Sequence, residues 1–131
     1  MIENLTQEQL RGILENLPVD ISFVDESDTV KFWNRHETRV FKRPQSALGK
    51  TVQKCHPPAS VDKVNTVLAE LKSGKREFAE FWIDLRGRKI YIRYFAVRDK
   101  NGKYLGTLEV GQDITDIKKI EGEKRLLDYQ N

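Results

Sequence analysis

Cysteine is almost missing from this sequence. The chain of 131 residues carries one, Cys55, which rules out an internal disulfide framework and a four-cysteine zinc cage. Histidine is nearly as scarce, with only His36 and His56. The spaced ligand pairs of a zinc site are lacking, no metal site is expected, and no catalytic triad can be assembled. No glycine-rich phosphate loop, G-x-S-x-G or H-E-x-x-H occurs, so the chain reads as a non-enzyme. No apolar run approaches the roughly 18 residues that cross a bilayer. The N-terminal Glu3, Asn4, Thr6, Gln7 and Glu8 are no secretory signal, and a cytoplasmic location without a membrane partner is expected. An excess of one charge is also absent: 23 Lys and Arg stand against 20 Asp and Glu, for a net +3. The basic pairs Lys42-Arg43, Lys118-Lys119 and Lys124-Arg125 are scattered, and acidic residues flank the last two. They read as solvated surface, not as a nucleic-acid face.

What is present suits one small α+β domain. Hydrophobic residues make up 38% and charged ones 33%, enough for a modest core in a chain of this length. Leu10, Ile13, Leu14 and Leu17 recur at helical spacing, Thr6 and Gln9 fit a capping box, and Pro18 stops the run. Two short strands follow, around Ile21, Phe23 and Val24 and around Val30, Phe32 and Trp33. Asp25-Glu26-Ser27-Asp28 supplies the turn between them.

From Asn34 to Ser60 no period is clean, and Pro44, Gly49, Pro57 and Pro58 punctuate the chain. Helical turns are expected near 37–41 and 45–48. A helix from about Pro58 to Lys72 then carries Val61, Val64, Leu68 and Leu71 on one stripe, with Gly74 as its stop. Three strands come next: 78–85, 89–98 and 104–112, the last two joined by a turn with Asn101-Gly102. Thr115 and Asp116 open a terminal helix in which Ile117, Ile120 and Leu127 share a stripe. Strands grouped apart from helices imply an antiparallel sheet.

This order, with Ala47-Leu48-Gly49-Lys50, His56-Pro57-Pro58 and Asp113-Ile114-Thr115 in place, resembles a PAS domain from Leu17 to Thr115. The resemblance implies a five-stranded antiparallel sheet of order 2-1-5-4-3. Helices over one face can enclose a pocket, and flanking N- and C-terminal helices lie at 1–17 and 116–131, outside a domain at 18–115. Leu17-Pro18-Val19-Asp20-Ile21, Phe23-Val24-Asp25, Cys55-His56-Pro57-Pro58 and Glu80-Phe81-Trp82-Ile83 fit a narrower subtype. So do Ile92-Arg93-Tyr94-Phe95-Ala96-Val97-Arg98 and Gly122-Glu123-Lys124-Arg125-Leu126-Leu127. That subtype sits at the C-terminus of longer proteins that often carry a hemerythrin-like domain, which makes this chain a C-terminal piece of such a protein.

By this likeness the chain is a sensory module that binds a small molecule or cofactor and relays the event through its terminal helices. The alternative is a ligand-free homodimerisation module, using the Leu10–Leu17 stripe and the outer sheet face. Pocket candidates are Phe23, Phe32, Phe41, Val52, Cys55, His56, Val64, Leu68, Phe81, Ile83, Ile92 and Arg93. Glu80, Arg93 and Glu109 either orient a ligand or face solvent as cross-strand charges. Haem-binding relatives place an axial His within the helix before the third strand. Here that helix has none, and only His56 at its entrance could serve as haem axial ligand. The light-sensing relatives use a flavin and a Cys where this chain has Val52, which argues against flavin. Cys55-His56-Pro57-Pro58 reads either as a ligand contact or as a geometric entry to the helix, since each residue before a proline is pushed extended.

Overall fold

In a computed structural model, residues 1–128 are described. The chain forms α1 (Gln7–Asn16), β1 (Asp20–Asp25), β2 (Val30–Trp33), α2 (Pro58–Ser73), β3 (Phe78–Leu85), β4 (Arg88–Arg98) and β5 (Tyr104–Asp113). The five strands make one antiparallel sheet in the order β2-β1-β5-β4-β3, as expected.

Local chemistry accounts for most of the element ends. Thr6 Oγ1 accepts from the Gln9 N–H while Gln9 Oε1 accepts from the Thr6 N–H, each at 3.0 Å, a reciprocal cap on α1. Asp25 Oδ1 accepts from the N–H groups of Ser27 and Thr29 at 2.9 and 3.0 Å, which folds the β1–β2 turn. Pro58 opens α2, where its missing N–H costs nothing, and Gly74 closes it in the left-handed conformation. Asp99 Oδ1 holds the Asn101 and Lys103 amides of the β4–β5 turn.

The sheet has two unlike faces. On the inner face Val24, Val30 and Trp33 meet Leu68 of α2 and Ala47 from the connecting segment, and these form the core. Leu71 and Ile90 are also closed to solvent. The connection from β2 to α2 runs back along the free edge of β2. Val30 N–H donates to Lys50 O at 2.8 Å, Gly49 N–H to Val30 O at 2.9 Å, and Val52 N–H to Asp28 O at 2.8 Å. That covering removes one exposed strand edge. On the outer face Phe78 and Trp82 remain 49% and 60% exposed, and α1 buries none of its residues.

Two expectations from the sequence are corrected. No helical turn forms at 37–41, because Arg39 turns inward and ties this stretch to the sheet by side-chain bonds. The terminal helix from Asp116 is only a 3-10 turn at Ile117–Lys119, and residues 120–128 form no helix. Gly122 has a left-handed φ of 65°, and an isolated short amphipathic stripe lacks the tertiary packing that sustains most helices. The rest of the proposed helix, 129–131, lies outside the described residues.

Candidate functional site

The inner face of the sheet and the facing side of α2 enclose a cavity of about 550 Å³. Its apolar wall comes from Val24 on β1, Val64, Val67 and Leu68 on α2, Ala79 on β3 and Val52 before α2. The α2 residues fall at i, i+3 and i+4, so one helical stripe supplies both core and cavity wall. A second cavity of about 330 Å³ lies beside Phe41, Cys55, Ile83 and Ile92. Arg43, His56, Phe81, Tyr94 and Glu109 border both cavities.

Strand register explains the polar groups. Ser22 pairs with Glu109, Glu109 with Tyr94, and Tyr94 with Ala79. These four share one row on the inner face, since directly opposed residues point the same way. Arg43 Nη2 donates to Glu109 Oε1 at 2.8 Å. The two side chains are only 18% and 21% exposed. Burial pushes the Tyr94 phenol well above its ordinary value, and the nearby Glu109 carboxylate raises it further, so Tyr94 keeps its proton.

Behind this row sits Arg39, 5% exposed. It donates to the Ile21 and Asn34 carbonyls and to Ser22 Oγ, each at 2.9 Å. Burial, then the like charge of Arg43, draw the Arg39 pKa below its ordinary value, while Asp20 and Glu109 oppose that.

His56 Nδ1–H donates to Val52 O at 3.0 Å, which fixes the ring at the entrance of α2. Cys55 Sγ donates to Thr51 O at 3.7 Å and packs against the core. His36 accepts the Trp33 indole N–H at 3.0 Å. Among the described residues no three His, Cys, Asp or Glu gather to hold a metal ion.

The pocket candidates from the sequence divide by strand parity. Val52, His56, Val64, Leu68 and Phe81 line the main cavity, and Phe41, Cys55, Ile83 and Ile92 the neighbouring one. Phe23, Phe32 and Arg93 do neither. They lie in the rows of the opposite face, where Phe23 pairs with Phe32 and Leu108, and Arg93 with Glu80. The Arg93 guanidinium lies over the Tyr91 and Phe95 rings, and the Glu80 carboxylate accepts from the Tyr91 hydroxyl. Of the three uncertain charges, only Glu109 carries its charge into the cavity.

Residues that sequence reading missed are Ser22, Asn34, Arg39, Arg43, Tyr94 and Thr107. Arg43 was expected on the surface as half of a basic pair. Its carboxylate partner is 66 residues away, so no local pattern signals it.

A family described as the PAS domain matches residues 10–115. The chain belongs to the PAS family.

This PAS domain is similar to a C-terminal domain from Streptococcus mutans. The two are 37% identical, with 89% of this chain and 91% of that chain covered and a TM-score of 0.85. A sensory box sensor histidine kinase from Vibrio cholerae is 14% identical over 81% of this chain and 89% of its own, with a TM-score of 0.58. The Vibrio cholerae VqmA–ligand–DNA complex is 21% identical over 87% of this chain and 54% of its own, with a TM-score of 0.60. At those identities the last two likenesses speak for the fold. No curated protein matches. PAS domains are sensory modules, found in histidine kinases among other proteins, and no helix among the described residues is long and apolar enough to cross a membrane.

Proposed function

We propose that this PAS domain binds a small molecule in the cavity between α2 and the sheet and relays that event without catalysing a reaction. The carrying observation is the 550 Å³ cavity, apolar over most of its wall with a few polar groups at one place. This is the usual make-up of a small-molecule site. A ligand seated there touches α2, the connecting segment and β5 together. β5 runs directly into Asp113-Ile114-Thr115, where the Thr115 N–H donates to Asp113 Oδ1 at 3.0 Å and Thr115 Oγ1 accepts the Lys89 amide at 2.8 Å. Binding that favours one placement of α2 over another would reach the C-terminal segment through this strand.

The donor set supports hydrogen bonding rather than metal ligation. A haem would depend on His56 alone, since α2 contains no His, and Val52 stands where a flavin adduct would need a thiol. Resemblance to the subtype with Cys-His-Pro-Pro also supports a place at the C-terminus of a longer cytoplasmic protein, with a hemerythrin-like domain as one kind of neighbour. The Streptococcus mutans relative, itself a C-terminal domain, agrees with that placement. Neither nucleic acid nor membrane is a proposed partner.

Native mass spectrometry of the chain tests the reading, with Val64→Trp as the filled-cavity control. A bound mass in the wild type that disappears in Val64→Trp is the expected result. Bare protein alone in the wild type, even after incubation with an extract of small metabolites, would sink it.

A second reading is homodimerisation, favoured by the exposed aromatics Phe78 and Trp82 on the outer face and by Ile13 of α1, 46% exposed. Sedimentation of wild type and Trp82→Lys separates the two. A dimer that Trp82→Lys turns to monomer supports this interface; an unchanged monomer in both removes it.

A further inference from the structure

Granted a ligand in the main cavity, as proposed above, the charges on its wall restrict what that ligand can be. The largely buried ionic groups on the wall itself are Arg43 and Glu109, joined at 2.8 Å, and their charges cancel; behind the wall the buried Arg39 is countered by the buried Asp20 carboxylate. Lys63 borders the cavity from the exposed side of α2, where water and salt screen it. Glu80 also borders it, but its carboxylate is taken by Tyr91 on the opposite face.

An anion entering beside Glu109 has two choices. It stays unpaired next to a like charge, or it pulls Arg43 away and leaves Glu109 alone. A cation meets the mirror problem with Arg43. Either way a largely buried charge loses its partner, which is costlier than never having formed the pair. An uncharged molecule disturbs neither group.

The remaining hydrogen-bonding capacity asks for an acceptor. Ser22 Oγ accepts from Arg39 Nη2 at 2.9 Å, so its own proton is left to donate. Arg43 Nε is buried with no partner among the described residues, and a ligand oxygen accepting its N–H would satisfy it while Nη2 stays on Glu109.

We propose that this cavity selects uncharged, mainly apolar small molecules bearing one hydrogen-bond acceptor, such as aromatic amides or ketones, and discriminates against the matching carboxylates and amines.

Isothermal titration calorimetry with 2-naphthamide, 2-naphthoate and 2-naphthylmethylammonium provides the test. Wild type should bind the amide at least about tenfold more tightly than either charged analogue. In the near-isosteric Glu109→Gln, Arg43 loses its counter-charge, and the ratio of naphthoate to naphthamide affinity should rise by about tenfold or more. Val64→Trp should abolish binding of all three, which places them in this cavity. Should Glu109→Gln fail to fold, judged by circular dichroism, the wild-type ranking still decides the matter. Equal or tighter binding of either charged analogue to wild type overturns the selectivity and leaves the receptor reading standing. No binding by any of the three also overturns the selectivity. When native mass spectra of the wild type show no bound species either, the receptor reading falls with it.

Discussion

Arg43 Nη2 and Glu109 Oε1 meet at 2.8 Å, fastening the connecting segment to the middle strand of the sheet. Removing one partner leaves the other charge largely out of water, whereas removing both does not. Arg43→Met should therefore cost about 2 kcal/mol, less than for a completely buried pair because each side chain keeps about a fifth of its exposure. The double variant Arg43→Met/Glu109→Leu should regain most of that loss. Urea denaturation of the four proteins in the cycle measures it; simple additivity of the two single changes would contradict the coupling.

Asn34 acts as a knot near the start of the domain. It is closed to solvent. Its Oδ1 accepts from Ile21 N–H at 2.7 Å, and its Nδ2 donates to Leu14 O at 2.7 Å and Val19 O at 3.1 Å. The side chain thereby joins the end of α1 to both strands of the first hairpin. One buried and two part-buried bonds, at about 1 kcal/mol each, put the cost of Asn34→Ala near 3 kcal/mol. Amide exchange at Ile21 should accelerate in the same variant, and an unchanged thermal midpoint would refute this role.

Gly106 of β5 admits no side chain. A Cβ there would lie 2.2 Å from Val24 O and 2.5 Å from Phe23 Cζ, with φ at 155°. The ring can move, but the carbonyl belongs to the paired strand. Gly106→Ala should destabilise the domain by at least about 2 kcal/mol through strand displacement, while Gly12→Ala in α1 meets no atom within 4 Å and needs no left-handed backbone, and serves as the control. Comparable denaturation midpoints for Gly106→Ala and wild type would show the clash to be relieved without cost.

Acid should weaken the Asp113 corner. The side-chain bond from Arg88, together with the Thr115 hydroxyl and amide, holds the Asp113 carboxyl at about 2, against an ordinary 3.8. A folded-state pKa below the unfolded one stabilises the fold above the unfolded value, and that contribution is lost as pH falls through the folded one. At neutral pH wild type should thus be more stable than Asp113→Asn, and the gap should close as pH falls from about 4 to about 2. A gap that stays constant across that window in thermal melts would exclude Asp113 as its source.

Elements made by short-range chemistry could be read from residues alone. The capping box at Thr6 and Gln9, the Asp25 turn, Pro58 and Gly74 at the ends of α2, and the Asn101-Gly102 turn each involve neighbours within a few positions. The stripe on α2 could be read for the same reason, and its Val64 and Leu68 line the cavity. Phe23, Phe32 and Arg93 lie on the face away from the cavity, and the sequence does not signal this because β1, β2 and β4 carry bulky residues on both sides. Where both faces are apolar, alternation no longer says which is inward.

Periodicity and turn chemistry alone determined five antiparallel strands and the α2 helix, and the resemblance carried by three short motifs in order implied the single PAS sheet with helices over one face. Tertiary structure alone decided which charges enter the cavity and how they are paired. Arg43 with Glu109 and Arg39 with Ser22 are contacts between positions remote in sequence, set by strand register and by the path of an irregular connection. Neither leaves a periodic trace, since hydrogen bonds and ion pairs depend on distance in space rather than on spacing along the chain.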